Sequence, residues 1–119
     1  MTRYVDGYVL PVKKDRLEEY RGLASLACEV WREHGALEYV EAVADDVKPG
    51  KLTSFPQSVL LEPDETVVFA WVVYASREDR DRVNKKVMED PRMKGMDMNT
   101  MPIDGKRMIW GGFRTLVEG

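Results

Sequence analysis

The amino-acid sequence predicts a ferredoxin-like α+β domain of order βαββαβ, with an antiparallel sheet that pairs with a second copy to form a dimeric α+β barrel. Three observations lead there. The chain has 119 residues, the size of one domain with a single core, so residues 1–119 are expected to form one unit. Apolar periodicity alternates between two and 3.6 residues in the order strand, helix, strand, strand, helix, strand. Two helices cover only one face of such a sheet, yet the third strand is apolar on both.

Tyr4 to Val12 reads as the first strand, with Tyr4, Asp6, Tyr8, Leu10 and Val12 on one face and Val5, Gly7, Val9 and Pro11 on the other. Pro11 has no backbone donor and is expected to weaken the ladder. Asp15 to Glu33 reads as a helix, opened by a capping arrangement of Asp15 and Glu18. Its stripe runs through Leu17, Tyr20, Ala24, Ala27, Cys28 and Trp31, widened by Leu23, Leu26 and Val30, and Gly35 stops it. Ala36 to Asp45 is the second strand, with Leu37, Tyr39 and Val43 on one side.

Lys48 to Lys51 is turn chemistry and Thr53 to Pro56 an irregular loop. Val59 to Leu61 suggests a short extra strand before a turn at Pro63-Asp64. Thr66 to Tyr74 is the clearest strand, rich in β-branched and aromatic residues. Ser76 then caps a second helix, with Asp79 reaching back and Val83 and Val87 inward, ending near Asp90-Pro91. Arg92 to Gly105 reads as a loop with room for one helical turn; it carries Met93, Met96, Met98 and Met101. Arg107 to Val117 closes the sheet, with a bulge or close backbone approach at Gly111-Gly112.

Phe69, Trp71 and Val73 point one way from the third strand, and Val68, Ala70, Val72 and Tyr74 the other. Burying one large side chain is worth roughly 1.5–3 kcal/mol, so neither set is expected to face water. A two-fold copy of the sheet is the simplest cover; the alternative is the loop at residues 54–61 together with the methionine-rich segment.

Composition narrows the functional classes. A net charge of −3 lacks the basic field that nucleic-acid binding draws on. The longest apolar run, Val67 to Ala75, is too short to span a bilayer as a helix. No signal-peptide pattern opens the chain and one cysteine, Cys28, precludes an internal disulfide, so a cytoplasmic protein with neither membrane nor nucleic-acid partner is expected. No dinucleotide fingerprint, phosphate-binding glycine loop or nucleophile elbow is present, and no cofactor is expected.

Several segments together resemble the YbaA-like family of bacterial proteins: residues 31–39 (Trp-Arg-Glu-His-Gly-Ala-Leu-Glu-Tyr), Thr53 to Pro56, Val83 to Met88, Asp90 to Met93, Met101 to Ile109 and Gly111 to Phe113. The resemblance spans nearly the whole chain. It implies a dimeric α+β barrel and carries no settled activity with it. Wider relatives of that fold include cofactor-independent monooxygenases, haem-degrading enzymes and isomerising enzymes, which is analogy at the level of fold alone.

Candidate chemistry rests on few residues. His34, the lone histidine, is either a general base or a cap on the first helix. No second histidine accompanies it, and Glu38 and Glu41 face opposite sides of an extended strand, so no metal site is expected. Asp6 and Tyr8 share a face with Tyr4, and could move a proton in a pocket beside Trp71 or Trp110. The competing role is a hydrogen-bonded seam in which Asp6 meets a partner such as Arg107 or Arg114. Trp31, Trp71 and Trp110 could line an aromatic pocket or merely pack, and the methionine-rich segment could be an adaptable lid.

Two functions follow: a small-molecule-binding or structural homodimer with a cavity between sheet and helices, or a cofactor-independent monooxygenase- or isomerase-like enzyme acting on a small aromatic or acidic substrate. In the second, Asp6, Tyr8, His34 and Trp71 would position the substrate and shuttle its proton. A cavity that holds Asp6 would favour the enzyme.

Overall fold

A computed structural model describes residues 2–97 and 99–119. Strands β1 (Tyr4–Lys13), β2 (Glu38–Val43), β3 (Glu65–Tyr74) and β4 (Ile109–Arg114) form a sheet of order β2-β3-β1-β4, antiparallel throughout. Helices α1 (Leu17–Glu33) and α3 (Arg77–Glu89) pack on one face; α2 (Phe55–Ser58) and α4 (Pro91–Lys94) are single turns. This is the expected ferredoxin-like arrangement. No helix of the described residues is long and apolar enough to cross a membrane.

β1 and β3 pair over their full length, from Tyr4 opposite Tyr74 to Lys13 opposite Glu65. That register puts Asp6, Tyr8, Leu10 and Val12 on the helix-covered face with Val72, Ala70, Val68 and Thr66. Pro11 does not interrupt the ladder; β4 ends its pairing at Val9 opposite Ile109, so Pro11 needs no donor on that side. The core under the helices has two parts: Val30, Ala36, Val72, Tyr74, Val83 and Val87 toward one end, and Leu10, Val12, Tyr20 and Val68 toward the other.

Helix boundaries follow local chemistry, with departures from the expected caps. Asp15 lies in a short 3-10 turn (Lys14–Arg16) and no side chain caps α1. Glu18 instead binds Arg21, and Arg16 binds Glu19. The α1 C-terminus closes as a Schellman motif: Gly35 at φ +122° donates to the Arg32 carbonyl and Ala36 to that of Trp31. Ser76 caps α3 by accepting from the Asp79 amide at 3.1 Å, while the Asp79 carboxylate turns to Arg82 rather than back.

Thr53 to Pro56 is not wholly irregular. Ser54 accepts from the Gln57 amide at 3.1 Å and Pro56 fixes the first turn, so α2 forms. Val59 to Leu61 is not a strand; it is a turn whose Val59 drops between Val9 and Val67 on the face opposite the main helices. α2 and this turn thus cover one end of that face. Gly111-Gly112 carries no bulge, since β4 keeps unbroken register with β1.

Candidate functional site

Across the sheet, Glu41 of β2 stands beside Ala70 of β3, which stands beside Tyr8 of β1, which stands beside Trp110 of β4. All four point toward the helices. Ala70 is the small member of this row, and the space above it is not filled by α1 or α3. A cavity of about 390 Å³ results, within the size range of small-molecule sites. Its walls include Tyr20, Ala27 and Trp31 of α1, Asn84 and Met88 of α3, and Met93, Met96, Met101, Ile103 and Met108 from the segment before β4. Trp110 and Met88 are 58% and 64% exposed while lining it, so they mark its mouth. Trp110 stacks on Tyr8 with ring planes 18° apart. Met98 lies outside the described residues, so its place in the expected lid is not assigned.

The polar part of the wall is concentrated at Glu41. Tyr20 donates its hydroxyl to one carboxylate oxygen and Tyr39 donates to the other at 2.5 Å. Burial, followed by the negative charge of Glu41, pushes both phenols far above their ordinary range, so they remain donors. Burial does the same to Tyr8, assisted by Asp6. Tyr8 also lines the cavity. Behind the Tyr20–Glu41–Tyr39 group lies a second cavity of about 290 Å³ between α1 and β2, whose lining includes Arg21, Ser25 and Cys28.

Asp6 sits one row away, opposite Val72 and Gly112. It is wholly buried and does not line the cavity. Its partner is Arg80 of α3, 3.1 Å away, in place of the expected Arg107 or Arg114. Arg107 instead binds Glu65, Asp104 and the Leu60 carbonyl, tying β3 to the chain that leads into β4. Asn84 donates to the second Asp6 oxygen at 3.4 Å and accepts from Trp31 and Tyr74 at 3.2 and 3.1 Å. The Arg80 guanidinium lies over the ring of Tyr4, 5.0 Å from its centroid. Tyr4 therefore belongs to this ion pair and does not line the cavity. Gly112 makes the arrangement possible: a Cβ there would collide with the Arg80 guanidinium and come within 2.7 Å of Tyr4 Cε2.

His34 is also away from the cavity. It occupies the α1 C-cap and its Nε2 lies 2.9 Å from Asp90 Oδ2. Asp90 caps α4, accepting from the Arg92 amide and guanidinium, and Arg92 extends to Glu33 at 2.6 Å. These hydrogen bonds, led by those from Arg92, hold the Asp90 carboxyl far below its ordinary range. The cluster joins the end of α1 to the α3–α4 corner. No group of three potential metal ligands occurs among the described residues.

Trp71 projects from the opposite face, donating to Glu38 at 3.0 Å and tilting against Phe69. The three tryptophans thus divide: Trp31 and Trp110 line the cavity and Trp71 does not. Of the residues singled out in the sequence, Tyr8 and Trp110 come together there, while Asp6, Tyr4 and His34 belong to two ion-pair clusters. Glu41 was weighed in the sequence only as a metal ligand and set aside, and Tyr20 and Tyr39 only as packing residues. The signal available was that Glu41 shares the face of Tyr39 and Val43 in a strand whose other carboxylate, Glu38, points away.

Comparison with known proteins gives the family and the fold. Residues 3–105 match the family described as a protein of unknown function, DUF1428. The chain is 47% identical over 116 residues to the uncharacterized protein YbaA of Escherichia coli K12, covering 98% of each, and equally similar to that of Shigella flexneri. A dimeric ferredoxin-like protein from an uncultured marine organism superposes with a TM-score of 0.67 at 10% identity over the whole of both chains. A nipsnap family protein of unknown function from Agrobacterium tumefaciens gives 0.60 at 11% identity, over 95% of this chain and 87% of the other. At such identities the structural likeness speaks for the ferredoxin-like fold alone. On the sequence match, which spans most of its length, the chain belongs to the DUF1428 family, the YbaA-like proteins.

Proposed function

We propose that this protein is a cytoplasmic homodimer that binds a small, mainly apolar molecule in the cavity between its sheet and helices. The observation that carries the reading is the cavity of about 390 Å³ whose walls are largely aromatic and methionine side chains, with Glu41 and Tyr8 at its floor. Methionines repack at small cost, which suits a site that adapts to a flat hydrocarbon body. The oxygenase or isomerase reading has less support: of the residues expected to shuttle its proton, Asp6 is ion-paired to Arg80 and His34 caps α1, and neither is among the cavity-lining residues.

The dimer is supported by the uncovered part of the other sheet face. Phe69, Ile109 and Phe113 are 43%, 47% and 64% exposed there, next to Val5, Gly7 and Trp71, which makes a contiguous apolar surface. The marine ferredoxin-like protein of the same fold is described as dimeric.

Trp31 and Trp110 make ligand entry observable. Naphthalene titrated into the protein is expected to give saturable quenching of tryptophan fluorescence. Ala70→Leu, which fills the floor, is expected to remove that quenching while leaving the far-ultraviolet circular dichroism unchanged. Absence of saturable quenching in the unmodified protein would reject the binding reading.

A further inference from the structure

The charge pattern of the cavity narrows what it accepts. Glu41 is the one carboxylate among the described lining residues, and no lysine, arginine or histidine accompanies it. Two arginines of the flanking helices, Arg80 and Arg21, are committed elsewhere. Arg80 binds Asp6 and Asp81, and Arg21 binds Glu18 while lining only the outer cavity. A ligand carboxylate or phosphate would therefore meet a like charge in a poorly solvated space, with nothing to offset it.

Glu41 nevertheless has room for one more donor. Each of its oxygens takes one tyrosine hydroxyl, whereas an ionised carboxylate offers about four lone-pair positions. A neutral hydroxyl arriving from the cavity can use one of those left, and a charge-assisted hydrogen bond of that kind is stronger than one between neutral groups. Tyr20 and Tyr39, drawn from α1 and from β2 itself, fix the carboxylate from both sides, so little ordering is needed when the ligand arrives. The apolar ring of the same ligand would lie over Ala70, between Glu41 and the Tyr8–Trp110 stack.

We propose that Glu41 is the specificity-determining residue of this cavity, selecting an uncharged aromatic-sized molecule that carries a phenol-type hydroxyl and rejecting carboxylates of the same shape. The proposal rests on the cavity being a binding site, and its test separates the two. Naphthalene, 2-naphthol and 2-naphthoate are titrated at neutral pH into the unmodified protein and into Glu41→Gln and Glu38→Gln, with tryptophan fluorescence as the signal. The naphthol is expected to bind at least about tenfold more tightly than the naphthoate. Glu41→Gln, which keeps the shape and an acceptor for one of the two tyrosines, should reduce that ratio to within about threefold, while Glu38→Gln, which removes a carboxylate from the same strand but on the face away from the cavity, should preserve it. Naphthoate binding as well as naphthol, or an unchanged ratio in Glu41→Gln, would overturn the assignment of Glu41 and leave the cavity standing. If none of the three compounds quenches, both the selectivity and the binding site are rejected.

Discussion

At the scale of single residues, the buried ion pair of Asp6 and Arg80 depends on a position that makes no hydrogen bond to it. Gly112 is needed because the side chain of Arg80 passes over it to reach Asp6 and lies against Tyr4. Arg80 cannot swing aside freely, since that would strand a wholly buried carboxylate. Gly112→Ala is therefore expected to destabilise the protein by roughly 1–3 kcal/mol, whereas Gly111→Ala, whose Cβ would meet only the Phe113 ring at 3.7 Å, should cost less. Chemical denaturation of both variants measures the difference; equal midpoints would show that Arg80 finds another route. The sequence made Gly112 visible as a close approach but could not name what approaches. Arg80 lies 74 residues from Asp6, and a helical arginine among Asp79, Asp81 and Arg82 reads locally as a solvated face.

At the scale of elements, the Asp90 cluster decides how α1, α3 and α4 meet. Its carboxyl is held below the ordinary aspartate value of 3.8, first by Arg92 and then by His34 and the Arg92 amide. A folded-state pKa below the unfolded one adds stability that is present in full above the unfolded value and is lost as the pH falls through the folded one. Asp90→Asn should accordingly lower the melting temperature at neutral pH, and its deficit against the unmodified protein should shrink progressively below about pH 3.8. A constant deficit across that acid range, measured by thermal melts at a series of pH values, would contradict the ionic account. Long elements were legible because burial imprints a period on them: β1, β3 and α3 begin or end within a residue or two of their expected limits. α2 was not, since four residues are too few for a period and its helix is set by the Ser54 cap and Pro56. Val59 was misread as strand because its burial comes from β1 and β3, which no local pattern records. The role of Glu41 in the cavity escaped for the same reason, as the tyrosine on α1 that fixes it is 21 residues away.

At the scale of the molecule, the two faces of the sheet have different fates. One carries the cavity and is roofed by helices. The other is closed by α2 and Val59 at one end and bare around Phe69, Ile109 and Phe113. In the proposed dimer the covered end is unavailable, so the partner sheet would seat over β1 and β4 and the Trp71 half of β3. If the proposed dimer uses this face, Phe113→Asp is expected to give a monomer in sedimentation equilibrium, while Leu52→Asp, in the exposed loop before α2, should leave the dimer intact. A dimer that survives Phe113→Asp would place the interface elsewhere. The segment that roofs the cavity has its own mechanical character. It is anchored at its start by the Asp90–Arg92 cluster, and near its end by the Lys13–Pro102 hydrogen bond and the bridge between Val12 and Ile103. Under the binding reading proposed above, such anchoring lets Met93, Met96 and Met101 admit a guest by turning their thioether side chains, without the segment swinging open. Side-chain rotation is far faster than loop opening. The same thioethers are the groups that oxidants convert to polar sulfoxides, so peroxide exposure would roughen and wet the lining of this chamber before it disturbed the sheet beneath.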